Sequence, residues 1–265
     1  MDRSQTSSKL QKATKDQKYE LIYWPGIPGR GEHIRLAFEE TSTPYTDSAL
    51  FKDGISLVAS QISTDNLGDS LNPPPLAPPI LKHGSLLINQ TSNILLYLGP
   101  KLGLVPTEEE YQGGIFKVNG LALTALDGLS NEPHDCRHPV ATGLYYEDQK
   151  SEAKAKSSDY IKNRLPKFLG YFERVLSGEA SNGGKWLFAG RLTYADLVLF
   201  QCLDGVKHAF PKAMARIEKQ GNFGKVFELY ERVGSRPKIK AYLASERRQK
   251  YGMGIYRHYP ELDEI

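Results

Sequence analysis

The N-terminal part of the chain alternates between strand-like and helix-like spacing of apolar side chains. Aromatic and aliphatic residues at 19–24 predict a short strand that ends at Tyr23. The prolines and glycines of residues 25–29 break that strand, and apolar residues at helical spacing over 34–38 predict a helix behind them. A tyrosine at the end of a strand would then face the beginning of a helix.

The same alternation continues to residue 100. The further predicted elements are a strand at 45–51, an irregular stretch at 52–76 that is helical around 55–62, strands at 80–82 and 86–89, and a helix that starts at 90–92 and ends at 99–100. Residues 83–85 join the last two strands in a hairpin turn. This order predicts a small α/β domain over residues 19–100.

Strand signals disappear after a turn-rich linker at residues 100–107. The predicted helices lie at 108–131, 151–176, 223–233 and 237–248, with a kink or break in the second at Pro166. Thr193 and Asp196 form a capping box, and the helix that they begin is apolar nearly all round. That helix is predicted to be the buried centre of an all-α domain over residues 107–250.

The two ends of the chain differ from both domains. Residues 1–18 are rich in Ser, Thr, Lys and Gln, and they predict a disordered extension. Residues 251–265 carry three tyrosines without periodicity. They are either a frayed tail or a flap that covers a cleft.

Composition is that of a soluble globular protein. Hydrophobic residues make up 40% and charged residues 25% of the 265 residues, and the net charge of +3 is too small to indicate nucleic-acid binding. No apolar run approaches the roughly 18 residues of a membrane span. Residues 1–18 lack the apolar core of a secretory signal, so Cys136 and Cys202 are expected to be free thiols of a cytoplasmic protein.

Two helix starts offer groups that could bind an anion. Tyr23 faces a helix start that carries Arg30, a combination that can hold an anion and donate a hydrogen bond to it. Gln90-Thr91-Ser92 begins another helix, whose free amides and hydroxyl suit a carboxylate. Taken alone, these patterns are more typical of a buried aromatic beside a turn and of a simple helix cap.

Histidine and cysteine also occur together at residues 134–138, His-Asp-Cys-Arg-His. This segment lacks a second ligand cluster at zinc spacing. We therefore expect a solvated loop between helices and no metal site.

The order of these segments resembles the cytosolic glutathione transferases. The resemblance extends over residues 19–247 and is carried by the strand that ends at Tyr23, the hairpin and helix start over 79–92, and the capping segment over 190–196. The family implies a thioredoxin-like N-terminal domain, an all-α C-terminal domain and a homodimer. It also implies a glutathione site on the first domain and a hydrophobic pocket between the domains.

By this resemblance, Tyr23 and Trp24 correspond to the catalytic tyrosine and its aromatic neighbour in the tyrosine-type classes (alpha, mu, pi and sigma). Pro79 corresponds to the family's cis-proline. Pro78 before it has no N–H, so it offers only its carbonyl to the cysteinyl part of glutathione. From the residues alone, the bond between the two prolines could equally be a plain trans bend.

Other positions correspond to the family's glutathione-binding groups. Gln90 and Thr91 match the pair that holds the γ-glutamyl carboxylate, and Arg30 matches an arginine near the same group. Lys52, the only lysine or arginine in residues 36–81, is the candidate for the glycine carboxylate.

Phe116 and Leu123 on the predicted helix 108–131 are the candidates for lining the hydrophobic pocket. Several classes of the family also use an acidic residue from the partner subunit. Its position falls near Leu123, where this chain has no acid, and Asp127 lies one turn later.

The resemblance implies a detoxifying enzyme that conjugates glutathione to hydrophobic electrophiles. Glutathione is then a co-substrate, and no cofactor is needed. A thiol with a pKa near 8.5 is only about 3% thiolate at pH 7, so a hydrogen-bond donor at the sulfur raises the reactive fraction. The alternatives are a non-catalytic ligandin-type binding protein and a glutathione-dependent isomerase or peroxidase.

Overall fold

A computed structural model of the protein describes residues 18–264. The N-terminal domain combines a four-stranded sheet with helices. Its strands are β1 (Tyr19–Ile22), β2 (Tyr45–Asp47), β3 (Ile80–His83) and β4 (Leu86–Asn89), and its helices are α1 (Glu32–Thr41), α2 (Gly54–Gln61) and α3 (Thr91–Lys101).

The sheet has the strand order β2–β1–β3–β4. β1 runs parallel to β2 and antiparallel to β3, and β3 forms a hairpin with β4. β1 is therefore paired along both edges, and its residues Leu21 and Ile22 are buried. This double pairing holds in place the residue that follows the strand, Tyr23.

The predicted thioredoxin-like domain is confirmed, and so is the helical part of its irregular stretch, which is α2. The second strand is shorter than predicted. It ends at Asp47 rather than at Phe51, because the Asp47 carboxylate accepts the Ala49 N–H and turns the chain into a 3₁₀ segment, Ser48–Leu50.

The remaining described residues form the predicted all-helical domain. Its helices are α4 (Gly114–Leu126), α5 (Glu132–Asp135), α6 (Lys150–Asp159), α7 (Leu165–Ser177), α8 (Tyr194–Ala209), α9 (Pro211–Gln220), α10 (Gly224–Gly234) and α11 (Pro237–Leu243). Two π-helical segments, Asp127–Asn131 and Tyr160–Arg164, connect α4 to α5 and α6 to α7. Within residues 18–264, no helix has the length and apolarity needed to cross a membrane.

α8 is buried nearly all round, as its sequence predicts, and it packs against α4, α10 and α1. The predicted capping box is present at its start. The Thr193 N–H donates to Asp196 Oδ2 at 2.7 Å, and the Leu187 N–H donates to Asp196 Oδ1 at 2.8 Å. The buried carboxylate thus ties the preceding loop to the central helix.

Two helix predictions can be compared with the observed bounds. The helix predicted from residue 108 begins only at Gly114, because Gly113 has a φ of 66° that no right-handed helix contains. The break predicted near Pro166 is present, since a π-helical segment separates α6 from α7 and Pro166 lies in the first turn of α7.

The C-terminal segment is packed rather than frayed as far as residue 264. Tyr256 is 3% exposed and donates to the Leu129 carbonyl at 2.9 Å. Asp263 accepts the N–H groups of Lys212 and Ala213 and so caps α9. Residues 1–17 of the predicted disordered extension lie outside the described residues.

Buried ion pairs fix α1, the helix that begins next to Tyr23. Arg35 contacts Asp47 at 2.6 Å within the sheet domain. Glu32 pairs at 2.7 Å with Arg248, which lies beyond α11. The start of α1 is therefore held from both domains.

Candidate active site between the two domains

Tyr23 is a buried tyrosine whose hydroxyl meets the turn before α1. Its side chain is packed so that only 5% of the residue is exposed. The Arg30 N–H donates to the Tyr23 hydroxyl oxygen at 2.8 Å. A phenol can both donate and accept. The Arg30 N–H occupies one lone pair of the Tyr23 oxygen, so the hydroxyl hydrogen is available to donate to a bound ligand.

Two glycines allow the ring to lie against this turn. A Cβ at Gly29, where φ is +48°, would lie 2.2 Å from the Tyr23 hydroxyl oxygen. A Cβ at Gly31 would lie 2.6 Å from the ring carbon Cγ. The sequence indicated Gly29 only as a strand breaker and gave Gly31 no role, whereas the structure shows that both positions must lack a side chain.

The electrostatic surroundings keep Tyr23 protonated. Burial raises its pKa above the ordinary value, and the Arg30 and Arg35 cations oppose the shift only in part. Arg35 lies 5.6 Å from the centre of the ring. A neutral phenol is a hydrogen-bond donor at physiological pH, and it stabilises an anionic acceptor more than a neutral one.

The start of α3 presents a second set of groups for an anion. Gln90 has a φ of 69°, which is rare for a residue with a side chain, and Thr91 is the first helical residue. The first amides of a helix have no intrahelical acceptor. The Thr91 Oγ1 atom is buried and bonds to no described residue. Thr91 therefore lies within the helix rather than serving as its N-cap, with its hydroxyl unused.

Arg30 and the start of α3 line one pocket of about 160 Å³ between the domains. Its walls come from both domains and consist of Arg30, Gln90, Thr91, Ser92, Leu123, Leu126, Asp127 and Asn131. Arg30 Nη2 donates to Asn131 Oδ1 at 2.7 Å. The pocket thus contains a cation, a carboxylate and a helix N-terminus.

Of the residues singled out in the sequence, the structure brings Arg30, Gln90, Thr91 and Leu123 together in this pocket. The Pro78–Pro79 peptide bond is cis and directly precedes β3. β3 pairs in the sheet with β1, the strand that leads to Tyr23, and Ile80 lies opposite Ile22.

Other candidates lie elsewhere. Trp24 is half-buried and packs with Ile22, Val58 and Ile80 beneath the sheet. Lys52 is an exposed residue of the turn before α2, and it does not line the pocket. Phe116 is 71% exposed and lines a separate groove with Tyr171 and Phe188, so the structure does not place it with Leu123.

The helical domain contributes two polar residues to the pocket, Asp127 and Asn131, that were not selected from the sequence as binding groups. Both lie in the π-helical segment that follows α4. Their spacing from Leu123 by four and eight residues already places all three on one face of a predicted helix. The sequence does not show that this face meets Arg30.

The expectation of a solvated loop at residues 134–138 is wrong. Cys136 and Arg137 are buried, and Arg137 bonds to the C-terminal segment through the Arg257 carbonyl. Both cysteines are free, as predicted. Burial raises the pKa of Cys136 to about 11 and that of Cys202 to about 12. Among residues 18–264, no three His, Cys, Asp or Glu side chains group as metal ligands would.

Several known proteins are similar to this chain in sequence or structure. Residues 134–246 match the family described as Glutathione S-transferase, C-terminal domain. Glutathione S-transferase P 1 of Xenopus laevis is 28% identical over 88% of this chain and 94% of its own length. Glutathione S-transferase Mu 2 of Rattus norvegicus is 27% identical over 84% of this chain and 92% of its own length. The solved pi-class glutathione S-transferase of Onchocerca volvulus has a TM-score of 0.61 and 24% identity, over 85% of this chain and 91% of that one.

The fold is that of a two-domain protein in which a thioredoxin-like domain and a helical domain line one pocket between them. The matched relatives cover most of both domains. The chain is similar over most of its length to glutathione S-transferases of the pi and mu types, and these matches support a cytosolic glutathione transferase.

Proposed function

We propose that this protein conjugates glutathione to hydrophobic electrophiles and that the Tyr23 hydroxyl activates the thiol. The observation that carries the proposal is the hydrogen bond from the Arg30 N–H to the Tyr23 oxygen, which leaves the phenolic hydrogen for the sulfur. A donor at the sulfur favours thiolate over thiol and so lowers the pKa of the bound thiol. A shift of about two pKa units would make most of the bound thiol reactive at neutral pH.

The chemical step needs no group beyond the two substrates. The thiol releases its proton to solvent, and a sulfur lone pair forms a carbon–sulfur bond with the electrophilic carbon. With an aryl chloride, the carbon–chlorine bond breaks and chloride leaves with the bonding electrons. Tyr23 stays protonated throughout, because burial raises its pKa.

The pocket of about 160 Å³ fits the amino-acid end of glutathione, which carries a carboxylate and an ammonium group. Arg30 and the first amides of α3 suit the carboxylate, and Asp127 suits the ammonium. Asp127 thus offers, from within this chain, an acidic group near the position that several classes fill from the partner subunit. Gln90 and Thr91 complete the site, and the carbonyl of Pro78 is assigned to the cysteinyl part.

A homodimer and a cytoplasmic location remain predictions from the family. The hydrophobic pocket for the electrophile is assigned to the side of Tyr23 that faces the helical domain, with Leu123 near its glutathione end. Lys52 stays the candidate for the glycine carboxylate, and its position on an exposed turn would leave that end of glutathione near solvent.

Turnover of 1-chloro-2,4-dinitrobenzene with glutathione tests the function. We expect absorbance of the conjugate to appear at a rate that saturates with both substrates and exceeds the uncatalysed reaction. Binding of glutathione by calorimetry together with an uncatalysed rate would instead support a ligandin-type carrier. Retention on immobilised glutathione does not separate the two, because a carrier also binds glutathione.

Thr91→Val tests the pocket. Because the Thr91 hydroxyl bonds to no described residue, its removal breaks no protein hydrogen bond, and the free energy of unfolding should not fall. We expect KM for glutathione to rise roughly five- to tenfold, since the lost bond to a charged ligand is worth about 1–1.5 kcal/mol. Steady-state kinetics and urea denaturation measure the two effects. Thr91→Ser keeps the hydroxyl and is the control, and an unchanged KM in Thr91→Val would contradict the assignment.

A further inference from the structure

A second pocket, of about 90 Å³, lies between residues 134–138 and the C-terminal segment. It is lined by cationic, imidazole and tyrosine groups with one glycine, namely His134, Arg137, His138, Gly254, Arg257 and Tyr259. No residue of this pocket also lines the pocket of about 160 Å³. None of the described residues that line it carries a carboxylate.

Arg137 is the buried cation of this pocket, with 2% of the residue exposed. Its Nε donates to the Arg257 carbonyl at 2.6 Å, and its Nη1 donates to the Pro133 carbonyl. Its Nη2 is buried and has no partner among the described residues. Burial lowers the pKa of Arg137 to about 10, which still leaves the group charged at neutral pH.

No acidic side chain among residues 18–264 forms an ion pair with Arg137 or with Arg257. The nearby Glu132 pairs with Arg164. Asp135 is 54% exposed and reaches only His134, at 3.5 Å. A buried guanidinium without a counter-ion is costly, and such groups are normally paired.

The other lining residues are held beside the pocket by contacts with one another. The rings of His134 and His138 stack with their centres 4.9 Å apart. Arg257 donates to the Tyr259 hydroxyl at 2.7 Å, which holds that guanidinium beside the pocket. Glu261 accepts a hydrogen bond from the Tyr146 hydroxyl and does not line the pocket.

This pocket lies near the turn between Tyr23 and α1. His134 follows Asn131, the partner of Arg30, by three residues along one helical path, a rise of roughly 4.5 Å. At its other wall, the position of a Cβ on Gly254 is 3.4 Å from Ile27, which lies in the turn between Tyr23 and Arg30. The pocket and the turn that leads to Arg30 are therefore neighbours.

We propose that the pocket of Arg137, Arg257, His134 and His138 binds an anionic group, a carboxylate, sulfonate or phosphate, carried by the second substrate. The proposal rests on the conjugation function and narrows its substrate class to electrophiles with an apolar reactive part and one anionic substituent. The pocket volume of about 90 Å³ suits one such group rather than a second peptide.

A matched pair of substrates tests this inference. 4-Chloro-3,5-dinitrobenzoate carries the anion, and 4-chloro-3,5-dinitrobenzamide is its neutral analogue. In Arg257→Gln, we expect the ratio of kcat/KM for the benzoate to that for the benzamide to fall about tenfold relative to wild type, through KM. The side chain of Arg257 is half-exposed, and its bond to Arg137 uses the backbone carbonyl, which this substitution keeps. Arg216→Gln, on the exposed face of α9, removes the same charge elsewhere and should keep the wild-type ratio.

Direct binding measurements distinguish a failure of the anion site from a failure of the conjugation function. Calorimetry with the S-(4-carboxy-2,6-dinitrophenyl) conjugate of glutathione and with inorganic phosphate is run on wild type and Arg257→Gln. Weaker phosphate binding in the variant with an unchanged substrate ratio would overturn the assignment to the second substrate. No change in either measurement would overturn the anion site. If neither electrophile turns over in wild type, the conjugation function fails, and weaker binding of the conjugate by Arg257→Gln would still support the pocket.

Discussion

Tyr23→Phe is expected to lower kcat/KM for glutathione conjugation by roughly 10- to 150-fold, the equivalent of a charge-assisted hydrogen bond of about 1.5–3 kcal/mol. The ring keeps its place between Gly29 and Gly31, so the variant removes the hydroxyl and little else. Without the donor, the pKa of the bound thiol rises towards its value in free glutathione. KM for glutathione should change little, because the pocket of Arg30 and Thr91 is intact.

The loss of rate in Tyr23→Phe should depend on pH. Wild type holds the thiolate at pH values below the pKa of the free thiol, about 8.5, and the variant does not. The ratio of wild-type to variant rates should therefore be largest near pH 6.5 and shrink towards pH 9. Stopped-flow absorbance of the bound thiolate gives its pKa directly. Tyr145→Phe, which changes a tyrosine that is 74% exposed, is the matched control. Equal pKa values of the bound thiol in wild type and Tyr23→Phe would contradict the assignment of Tyr23 as the donor to the sulfur.

Asp196→Ala is expected to lower the free energy of unfolding by about 2–4 kcal/mol at pH 7, which is large for a single substitution. Asp196 is fully buried and accepts three hydrogen bonds, from the N–H groups of Leu187 and Thr193 and from the Thr193 hydroxyl. Alanine leaves two buried amides without an acceptor and removes the Asp196 half of the capping box of α8. Because α8 packs against α1, the loss should destabilise both domains together.

The size of this effect should depend on pH. Burial raises the pKa of Asp196 to about 6, above the value of about 3.9 expected in the unfolded chain. A group whose pKa is raised by folding contributes stability below its unfolded pKa, and that contribution is lost as the pH rises through its folded pKa. The difference between wild type and Asp196→Ala should therefore be larger at pH 5 than at pH 7.

Urea denaturation at the two pH values measures both effects. Glu246→Ala removes an exposed carboxylate after α11 and should leave the free energy of unfolding nearly unchanged. If Asp196→Ala were as stable as this control, the buried carboxylate would not hold the start of α8.

The elements that were predicted correctly are those whose apolar spacing has one interpretation. β1, the β3–β4 hairpin and the all-apolar α8 follow from local pattern and from a capping box. Bounds were less predictable where backbone conformation decides them. The positive φ of Gly113 delays α4, and the Asp47 carboxylate ends β2 early.

Candidate site residues could be selected from the sequence only where they lie close to a strand or helix end. Tyr23, Arg30, Gln90 and Thr91 belong to such ends, so the sequence indicated them even without a partner. Asp127 lies within a helical pattern. Such a pattern predicts the face of the helix on which a residue lies but not what that face contacts. The segment over 134–138 looked solvated because nothing near it in the sequence covers it.

The sequence by itself determined the α/β half and the helical half, and it predicted the positions at which a tyrosine and two helix starts could bind an anion. Only the tertiary structure decided what those positions face. It placed Arg30 against Asn131, and it covered Arg137 with residues more than one hundred positions away. The physical reason is that local pattern sets which residues are apolar, capped or turned. The neighbours of a charged group depend instead on how helices from two domains pack, and this packing brings distant residues together without a local signal.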